Sequence, residues 1–191
     1  MDSRWSVWLI PSIQEIKKYK QLINLYSKKY SFSLFDPHVT LFGRIDIEPG
    51  STFSFFEECV KGQDQIRLDT LDVMSGDPPW KSLYIQFKLN STIIDLQSKI
   101  NNKLGVFRDY VFDPHMSLAY GNIHEKRSEL EGITLDESIG FSSVALVYTS
   151  DKIEDWKKEI NGMDVEDFIK TQKKMAQINN LINKRVEKCL K

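Results

Sequence analysis

Runs of apolar residues divide the chain into predicted strands and helices. Trp5–Ile10 is a short apolar run ended by Pro11, which is typical of a buried strand. Beyond it, apolar residues recur at helical spacing, which predicts a helix over 14–29 with Ser12 as N-cap in a capping box with Glu15. The same reasoning predicts further strands at 39–47, 66–74, 83–89, 116–120 and 138–149. It also predicts helices at 52–60, around 125–130 and at the C-terminus, and a helix that Ser91 caps and that extends to Leu104.

This order of elements predicts an α+β protein with helices outside a sheet core. No low-complexity stretch or flexible linker divides the 191 residues, so we expect residues 1–162 to form one domain. Residues 163–191 are predicted to form a C-terminal amphipathic helical extension, because their apolar positions keep one helix face and lysines occupy the rest. We interpret the extension as a helix packed on the body rather than on a membrane or a partner, since tryptophan anchors are missing from it.

Charge narrows the class of ligand. The chain has 26 basic and 27 acidic side chains and a net charge of −1, which provides no global positive field to hold duplex nucleic acid. A small nucleotide needs only a local positive site.

No apolar run is long enough to span a bilayer, no secretory signal is evident, and Cys59 and Cys189 are most simply unpaired thiols in a reducing compartment. We therefore expect a cytoplasmic protein that does not bind membranes.

One internal repeat carries candidate chemistry. The segment Phe35–Leu41, Phe-Asp-Pro-His-Val-Thr-Leu, recurs at Phe112–Leu118 as Phe-Asp-Pro-His-Met-Ser-Leu. Four consecutive residues are identical, and the replacement of threonine by serine keeps the hydroxyl group. The chain has three histidines, and two of them occupy equivalent positions in this repeat.

The spacing within the repeat places the polar side chains together. Proline is tolerated at the start of a strand, and alternate residues of a strand share a face. His38 and Thr40 are therefore predicted to face one side while their neighbours enter the core, and His115 and Ser117 are predicted to do the same. A neutral imidazole accepts a proton from water, an imidazolium donates one to a departing alkoxide, and hydroxyls stabilise phosphate oxygens. Two such pairs on opposite sides of phosphorus suit in-line displacement without a metal.

Other interpretations of these residues are weaker. A single His-x-Thr is more often a structural histidine, but its duplication with matching flanks favours a functional site. Asp36 and Asp113 supply carboxylates beside the histidines, yet no third ligand lies at metal spacing, so both are interpreted as surface or turn residues. His124 has no hydroxyl partner and is interpreted as solvated. The chain has no nucleophile-elbow motif, no supported Cys–His pair, no phosphate loop and no dinucleotide fingerprint.

The repeated motif resembles the signature of the two-histidine (2H) phosphoesterase superfamily, which is a pair of His-x-[Ser/Thr]-apolar segments. The sequence looks most similar to the plant and yeast type of cyclic phosphodiesterase. The matching features are an initial strand like Ser6–Pro11, Pro-His-Val-Thr at Pro37–Thr40 and Pro-His-apolar-Ser-Leu-x-Tyr at Pro114–Tyr120. The resemblance extends roughly from Trp5 to Ile160.

The resemblance implies a bilobal fold in which two antiparallel sheets line a central cleft with helices outside. It implies metal-independent hydrolysis of nucleoside 2′,3′-cyclic phosphates to 2′-phosphates and of ADP-ribose 1″,2″-cyclic phosphate, a product of tRNA splicing. It assigns His38 as the acid and His115 as the base. Thr40, Ser117 and Tyr120 would bind phosphate, Tyr120 needing a bulge or a strand end to reach that face. Trp8 corresponds to an aromatic residue that stacks on a base, or is a core tryptophan.

These expectations describe an enzyme with no cofactor and no metal, a small cyclic phosphate as its ligand, and a monomeric state. Two alternatives are retained. The first is a 2H enzyme that acts on RNA 3′ ends or cyclic oligonucleotides, which would need a wider cleft or a basic rim. The second is a non-enzymatic nucleotide-binding protein, which the intact Thr40 and Ser117 disfavour.

Overall fold

The computed structural model describes residues 4–46, 65–121 and 134–158. Within those ranges the chain forms the following elements: β1 (Trp5–Pro11), α1 (Ile13–Tyr30), β2 (Val39–Ile45), β3 (Ile66–Ser75), β4 (Leu83–Phe87), α2 (Ser91–Leu104), β5 (His115–Ala119), β6 (Ser138–Tyr148), a 3-10 turn (Ile153–Asp155) and β7 (Lys157–Lys158). The helices predicted at 52–60, around 125–130 and within 163–191 lie outside the described residues.

All strand pairings are antiparallel, and the strand order is β1-β2-β5-β4-β3-β6-β7. An additional pairing between β1 and β6 joins the sheet into a ring. The two histidine strands, β2 and β5, meet in that ring through the pair Val39 and Met116. The predicted α+β class is therefore confirmed, and the strands belong to one continuous sheet; the division into two sheets that line a cleft stays a prediction.

The two helices connect the halves of the fold. Each half contains a strand, a helix and a histidine strand, in the orders β1-α1-β2 and β4-α2-β5. Helix α1 packs on β5 and helix α2 packs on β2, so each helix supports the histidine strand of the other half. The helix residues that enter the core are Tyr19, Ile23 and Tyr26 of α1 and Ile93, Leu96, Ile100 and Leu104 of α2. Complete burial of one such apolar side chain contributes about 1.5–3 kcal/mol.

The helix starts differ in detail from the prediction. Ser12 occupies the N-cap position of α1, but its side chain makes no cap bond, and its carbonyl accepts from the amides of Glu15 and Ile16. The prediction that Ser91 caps α2 was wrong, because the side chain of Asn90 accepts from the amide of Ile93 at 3.0 Å. Asparagine is as good an N-cap as serine, so local sequence does not separate the two.

No helix within the described ranges is both long and apolar enough to cross a membrane.

Candidate active site

The two histidines are held in the same way. Nδ1 of His38 lies 2.6 Å from the carbonyl oxygen of Asp36, and Nδ1 of His115 lies 2.8 Å from the carbonyl oxygen of Asp113. A carbonyl oxygen only accepts, so each Nδ1 must carry a proton and donate it. In the neutral tautomer this leaves the lone pair on Nε2, which is the atom available for proton transfer. The backbone of each Asp-Pro-His segment therefore sets the tautomer of its own histidine.

An aromatic ring on the neighbouring strand contacts each imidazole. The indole of Trp8 is stacked on His38, with ring centroids 3.5 Å apart and planes 6° apart. The ring of Tyr84 meets His115 edge-on at 5.3 Å. The two residues that carry these rings also occupy equivalent positions in the strand register, because Trp8 pairs with Thr40 and Tyr84 pairs with Ser117. Each half thus presents a histidine, a hydroxyl residue and a supporting ring.

Both halves contribute to one cavity of about 260 Å³. Its lining comprises Ser6, Trp8, His38, Thr40, Gly43, Arg44, Trp80, Arg108, Tyr110, His115, Tyr120, Thr149, Ser150 and Trp156. Five of the six residues selected from sequence are therefore in this wall. The sixth, Ser117, is buried with 4% exposure and is joined to the cavity through a side-chain hydrogen bond with Tyr120.

Strand bulges determine which residues face the cavity. Leu41 is inserted between the pairs Trp8–Thr40 and Val7–Phe42, and Leu118 is inserted at the equivalent place between the pairs Tyr84–Ser117 and Leu83–Ala119. An inserted residue reverses the alternation of faces beyond it. Phe42 is consequently buried in the core, and Gly43 reaches the cavity. Tyr120, one residue beyond the end of β5, reaches the same cavity as His115 in this way.

Burial lowers the pKa of His115, and the positive charge of Lys81 lowers it further. The hydrogen bond to the Asp113 backbone and the Asp113 carboxylate act in the opposite direction and offset part of this effect. The Asp113 carboxylate itself forms an ion pair with Lys81 and accepts a hydrogen bond from Gln86 at 2.8 Å. These two contacts hold the pKa of Asp113 below its usual value even though its burial acts in the opposite direction. A lowered pKa keeps His115 neutral near neutral pH, which is the state of a proton acceptor.

Tyr120 is buried, with 6% exposure, among aromatic rings that include Phe35 and Trp156. Burial raises its pKa to about 12, and the hydrogen bond with Ser117 offsets part of the increase. The phenol therefore keeps its proton throughout the neutral range and can donate a hydrogen bond.

Trp8 lines the cavity, but it is only 3% exposed, and His38 is its stacking partner. Its predicted role in stacking on a base stays a prediction. Two other tryptophans offer more surface, since Trp80 is 38% exposed and Trp156 is only partly buried. Their rings lie 6.1 Å apart and 22° from parallel at the edge of the cavity.

The other nine lining residues were not selected from sequence: Ser6, Gly43, Arg44, Trp80, Arg108, Tyr110, Thr149, Ser150 and Trp156. An extension of the internal repeat would have identified part of the site, because Ser6-Val7-Trp8 and Ser82-Leu83-Tyr84 stand at equivalent places before the two motifs. No local signal marks Arg108 or Trp156, since their position in the wall depends on packing between distant segments.

A larger groove of about 750 Å³ lies beside the cavity and shares Trp8 and Trp156 with it. Its other lining residues include Lys20, Leu34 and Glu154 but neither histidine and none of the motif hydroxyls. The smaller cavity is therefore the candidate active site. In the described ranges, no three His, Cys, Asp or Glu side chains are grouped so that they could hold a metal ion.

Two equivalent histidine–hydroxyl pairs on antiparallel strands, with both histidines in the wall of one cavity, define the class of two-histidine phosphoesterases. Comparison with known proteins agrees. The family profile of cyclic phosphodiesterase-like proteins matches residues 3–161, and the chain belongs to this family. The family and the site together make the protein a phosphodiesterase.

Individual relatives are distant. The chain is 21% identical to a cyclic phosphodiesterase of Arabidopsis thaliana over 138 residues, which is 71% of this chain and 76% of that protein. The fold is similar to that of TT0787 of Thermus thermophilus, with a TM-score of 0.57, 14% identity and coverage of 82% of this chain and 95% of that one. It is also similar to that of E. coli LigT in its apo form, with a TM-score of 0.55, 14% identity and coverage of 82% and 92%.

Proposed function

We propose that this protein hydrolyses nucleoside 2′,3′-cyclic phosphates to 2′-phosphates, and ADP-ribose 1″,2″-cyclic phosphate, by two-histidine acid–base catalysis that needs no metal. The observation that carries the proposal is the convergence of His38 and His115 on one cavity, each with Nδ1 bonded to a backbone carbonyl. Nε2 of each ring is thereby left for the substrate. One histidine can then accept a proton and the other can donate one, as acid–base catalysis requires.

The surroundings of the two rings support different roles for them. Both rings are largely buried, but only His115 has the positive charge of Lys81 beside it, which favours its neutral form and suits it to accept the proton of the attacking water. His38 lies flat on the indole of Trp8, and an indole face attracts a positive imidazolium by a cation–π interaction. We therefore assign His115 as the base and His38 as the acid.

In the proposed step, Nε2 of His115 takes a proton from water while the water oxygen forms a bond to phosphorus. The bond from phosphorus to the 3′ oxygen breaks, and Nε2 of His38 gives its proton to that oxygen. The product keeps the phosphate on the 2′ oxygen, and the two histidines return to their starting states by proton exchange with solvent. Attack and departure lie on opposite sides of phosphorus, as in-line displacement requires.

The hydroxyl groups are placed to stabilise the charge that grows on the non-bridging oxygens. Thr40 faces the cavity directly, and Ser117 is hydrogen-bonded to Tyr120, whose pKa of about 12 keeps the phenol protonated. Donors that are already oriented in a buried site contribute more than they would in water. We propose that Thr40 and Tyr120 contact the phosphate and that Ser117 acts there or orients Tyr120.

The size of the cavity favours a small substrate. Its volume of about 260 Å³ lies just below the usual range of ligand pockets, roughly 300–1,000 Å³, and suits a cyclic phosphate with its sugar. E. coli LigT, which shares the fold, has been crystallised with 3′-AMP, with phosphate, with ATP and with NADP+. We propose that this chain likewise takes small nucleotides.

The test is hydrolysis in the presence of a chelator. Purified protein is incubated with nucleoside 2′,3′-cyclic phosphates, ADP-ribose 1″,2″-cyclic phosphate and RNA with a 3′-terminal cyclic phosphate, and the products are separated as 2′ or 3′ isomers. We expect 2′-phosphate products from the small substrates and unchanged rates with chelator. Hydrolysis of the RNA alone would favour the alternative of an enzyme of RNA ends, and binding without turnover would favour a non-enzymatic protein.

Variants test the two histidines directly. His38→Ala and His115→Ala should each lower kcat by about 10²–10⁴-fold, which is the usual contribution of one general acid or base. His124→Ala is the matched control, because this third histidine has no hydroxyl residue two positions later and no counterpart in the internal repeat. Near-normal turnover by either cavity variant would refute the two-histidine assignment.

A further inference from the structure

The charge of the cavity wall is uneven. Two of its described lining residues, Arg44 and Arg108, are arginines, and none is acidic. The proposed chemistry at the histidines uses neither guanidinium group. Both arginines lie at one part of the wall, because Nη1 of Arg108 donates to the carbonyl oxygen of Gly43 at 3.0 Å. The cavity therefore has a cationic end in addition to its catalytic pair.

The backbone at Arg44 is unusual. Gly43 and Arg44 together lie opposite Ser6, which makes a second bulge in β2. Arg44 has a φ of 55°, in the left-handed region, where a residue with a Cβ is strained. The hydroxyl of Ser6 accepts from the Arg44 amide at 3.0 Å and is itself bonded to Thr149 at 2.8 Å, which holds the bulge in place. Bulges beside active sites commonly redirect a side chain.

The internal repeat provides a comparison within the same molecule. Gly121 stands six residues after His115, as Arg44 stands six residues after His38. Gly121 also has a positive φ, of 102°, and its carbonyl accepts from Ser82, the counterpart of Ser6. The second half therefore fills the left-handed position with the residue that prefers it, whereas the first half has arginine there. Strain retained beside a site indicates that the side chain has a use.

The described residues use only some of the hydrogen-bond donors of the Arg44 guanidinium. It forms an ion pair with Asp151, whose side chain is 71% exposed, and it lies over the ring of Trp80 at 5.4 Å. Its Nε is buried and has no hydrogen-bond partner among the described residues. An ion pair with an exposed carboxylate contributes little and exchanges readily with solvent or another anion. Arginine is suited to phosphate because its donors form a planar fork.

We propose that Arg44 and Arg108 form a subsite for a second phosphate of the substrate, attached to the same nucleotide whose cyclic phosphate reacts at the histidines. This inference rests on the proposed function and narrows it: the preferred substrates carry a phosphate or diphosphate besides the cyclic one. Trp80 lies under Arg44 and supports the guanidinium at the cavity wall. Arg108, fixed to the backbone of Gly43, supplies the second positive charge.

Two substrate pairs test the subsite and distinguish the sources of the second phosphate. The first pair is adenosine 2′,3′-cyclic phosphate with and without a 5′-phosphate, which tests a terminal monoester. The second pair is ADP-ribose 1″,2″-cyclic phosphate and ribose 1,2-cyclic phosphate, which tests a bridging diphosphate. We expect the wild type to favour the more phosphorylated member of at least one pair by about tenfold or more in kcat/KM, as expected for hydrogen bonds to a charged group.

Arg44→Gly is the informative variant, because glycine fits the backbone as Gly121 does and should not lower the melting temperature. Arg44→Gln retains a side chain of similar length without its charge. Both should reduce the preference to about twofold or less. Arg67→Gln, which removes a positive charge outside the cavity lining, is the control and should keep the preference.

The outcomes separate the two proposals. Failure of the wild type to hydrolyse any of the four compounds would overturn the proposed function. Hydrolysis without preference in either pair would overturn the subsite and leave the proposed function intact. A preference that survives in folded Arg44→Gly and Arg44→Gln would show that these contacts do not carry the recognition.

Discussion

Replacement of Tyr120 by phenylalanine removes one hydroxyl group from the cavity and leaves the ring in its aromatic surroundings. The ring packs on Phe35 with centroids 4.3 Å apart and on Trp156 at 5.6 Å, and the variant keeps both contacts. What it loses is the hydrogen bond with Ser117 and, by our proposal, a donor to the phosphate. The change therefore isolates the polar role of the residue.

The expected magnitude follows from the charge of the acceptor. A hydrogen bond to a charged group contributes about 1.5–3 kcal/mol, and each 1.36 kcal/mol corresponds to tenfold in rate, so kcat/KM should fall roughly 10–150-fold. The loss of a bond between neutral groups should lower the stability by about 0.5–1.5 kcal/mol, or a melting temperature change of about 1–6 °C in a chain of this size. The effect on activity should thus greatly exceed the effect on folding.

Steady-state kinetics across a range of pH checks this prediction. The pKa of Tyr120 is raised to about 12, so the phenol is protonated throughout the neutral range and contributes no limb to the profile. Tyr120→Phe should therefore lower kcat/KM by the same factor at every pH, so that the shape of the pH profile is unchanged. Tyr19→Phe is the matched control, because its hydroxyl donates to Asp136 at 3.0 Å outside the cavity lining. If Tyr120→Phe kept kcat/KM within twofold while both variants lost similar stability, Tyr120 would be a packing residue only.

Variants at three other positions probe the same geometry. Lys81→Gln removes a charge that lowers the pKa of His115, so that pKa should rise and the acid limb of kcat/KM should move to higher pH; an unmoved limb would contradict the assignment of His115 as base. Trp8→Ala should cost about 3–5 kcal/mol in denaturant unfolding and lower kcat more than Trp8→Phe, which keeps a ring under His38. Gly43→Leu should raise KM more than Gly43→Ala, because a Cβ there meets Thr40 and Tyr110 no closer than 3.4 Å, whereas a longer side chain enters the cavity.

The sequence alone determined most of the described elements and the two repeated histidine–hydroxyl pairs. Apolar periodicity predicted the main described strands and both described helices to within a few residues, because core-facing positions repeat with the period of the element. The burial of Val39, Leu41, Met116 and Leu118 agrees with the predicted alternation on the histidine strands. The repeated Asp-Pro-His segment was visible because the chemistry of each pair lies within a few consecutive residues.

Local sequence was least informative where neighbouring residues compete for one role. Asn90 and Ser91 are both good caps, and only the geometry of the turn selects Asn90. Asp36 and Asp113 were interpreted from their carboxylates, which do form surface ion pairs with Lys20 and Lys81. Their backbone carbonyls, which hold the histidines, have no signature in residue type, since every residue has one.

The tertiary structure decided how the site is completed. The bulges at Leu41 and Leu118 depend on the register between strands, and they bring Gly43 and Tyr120 into the cavity against simple alternation. Arg44 reaches the same cavity through a strained backbone that Ser6, from another strand, holds in place. Such contacts join residues far apart in the chain, so no local pattern encodes them. The sequence therefore determined the two histidine–hydroxyl pairs, which lie within short local segments, and the packing of the strands decided what surrounds them.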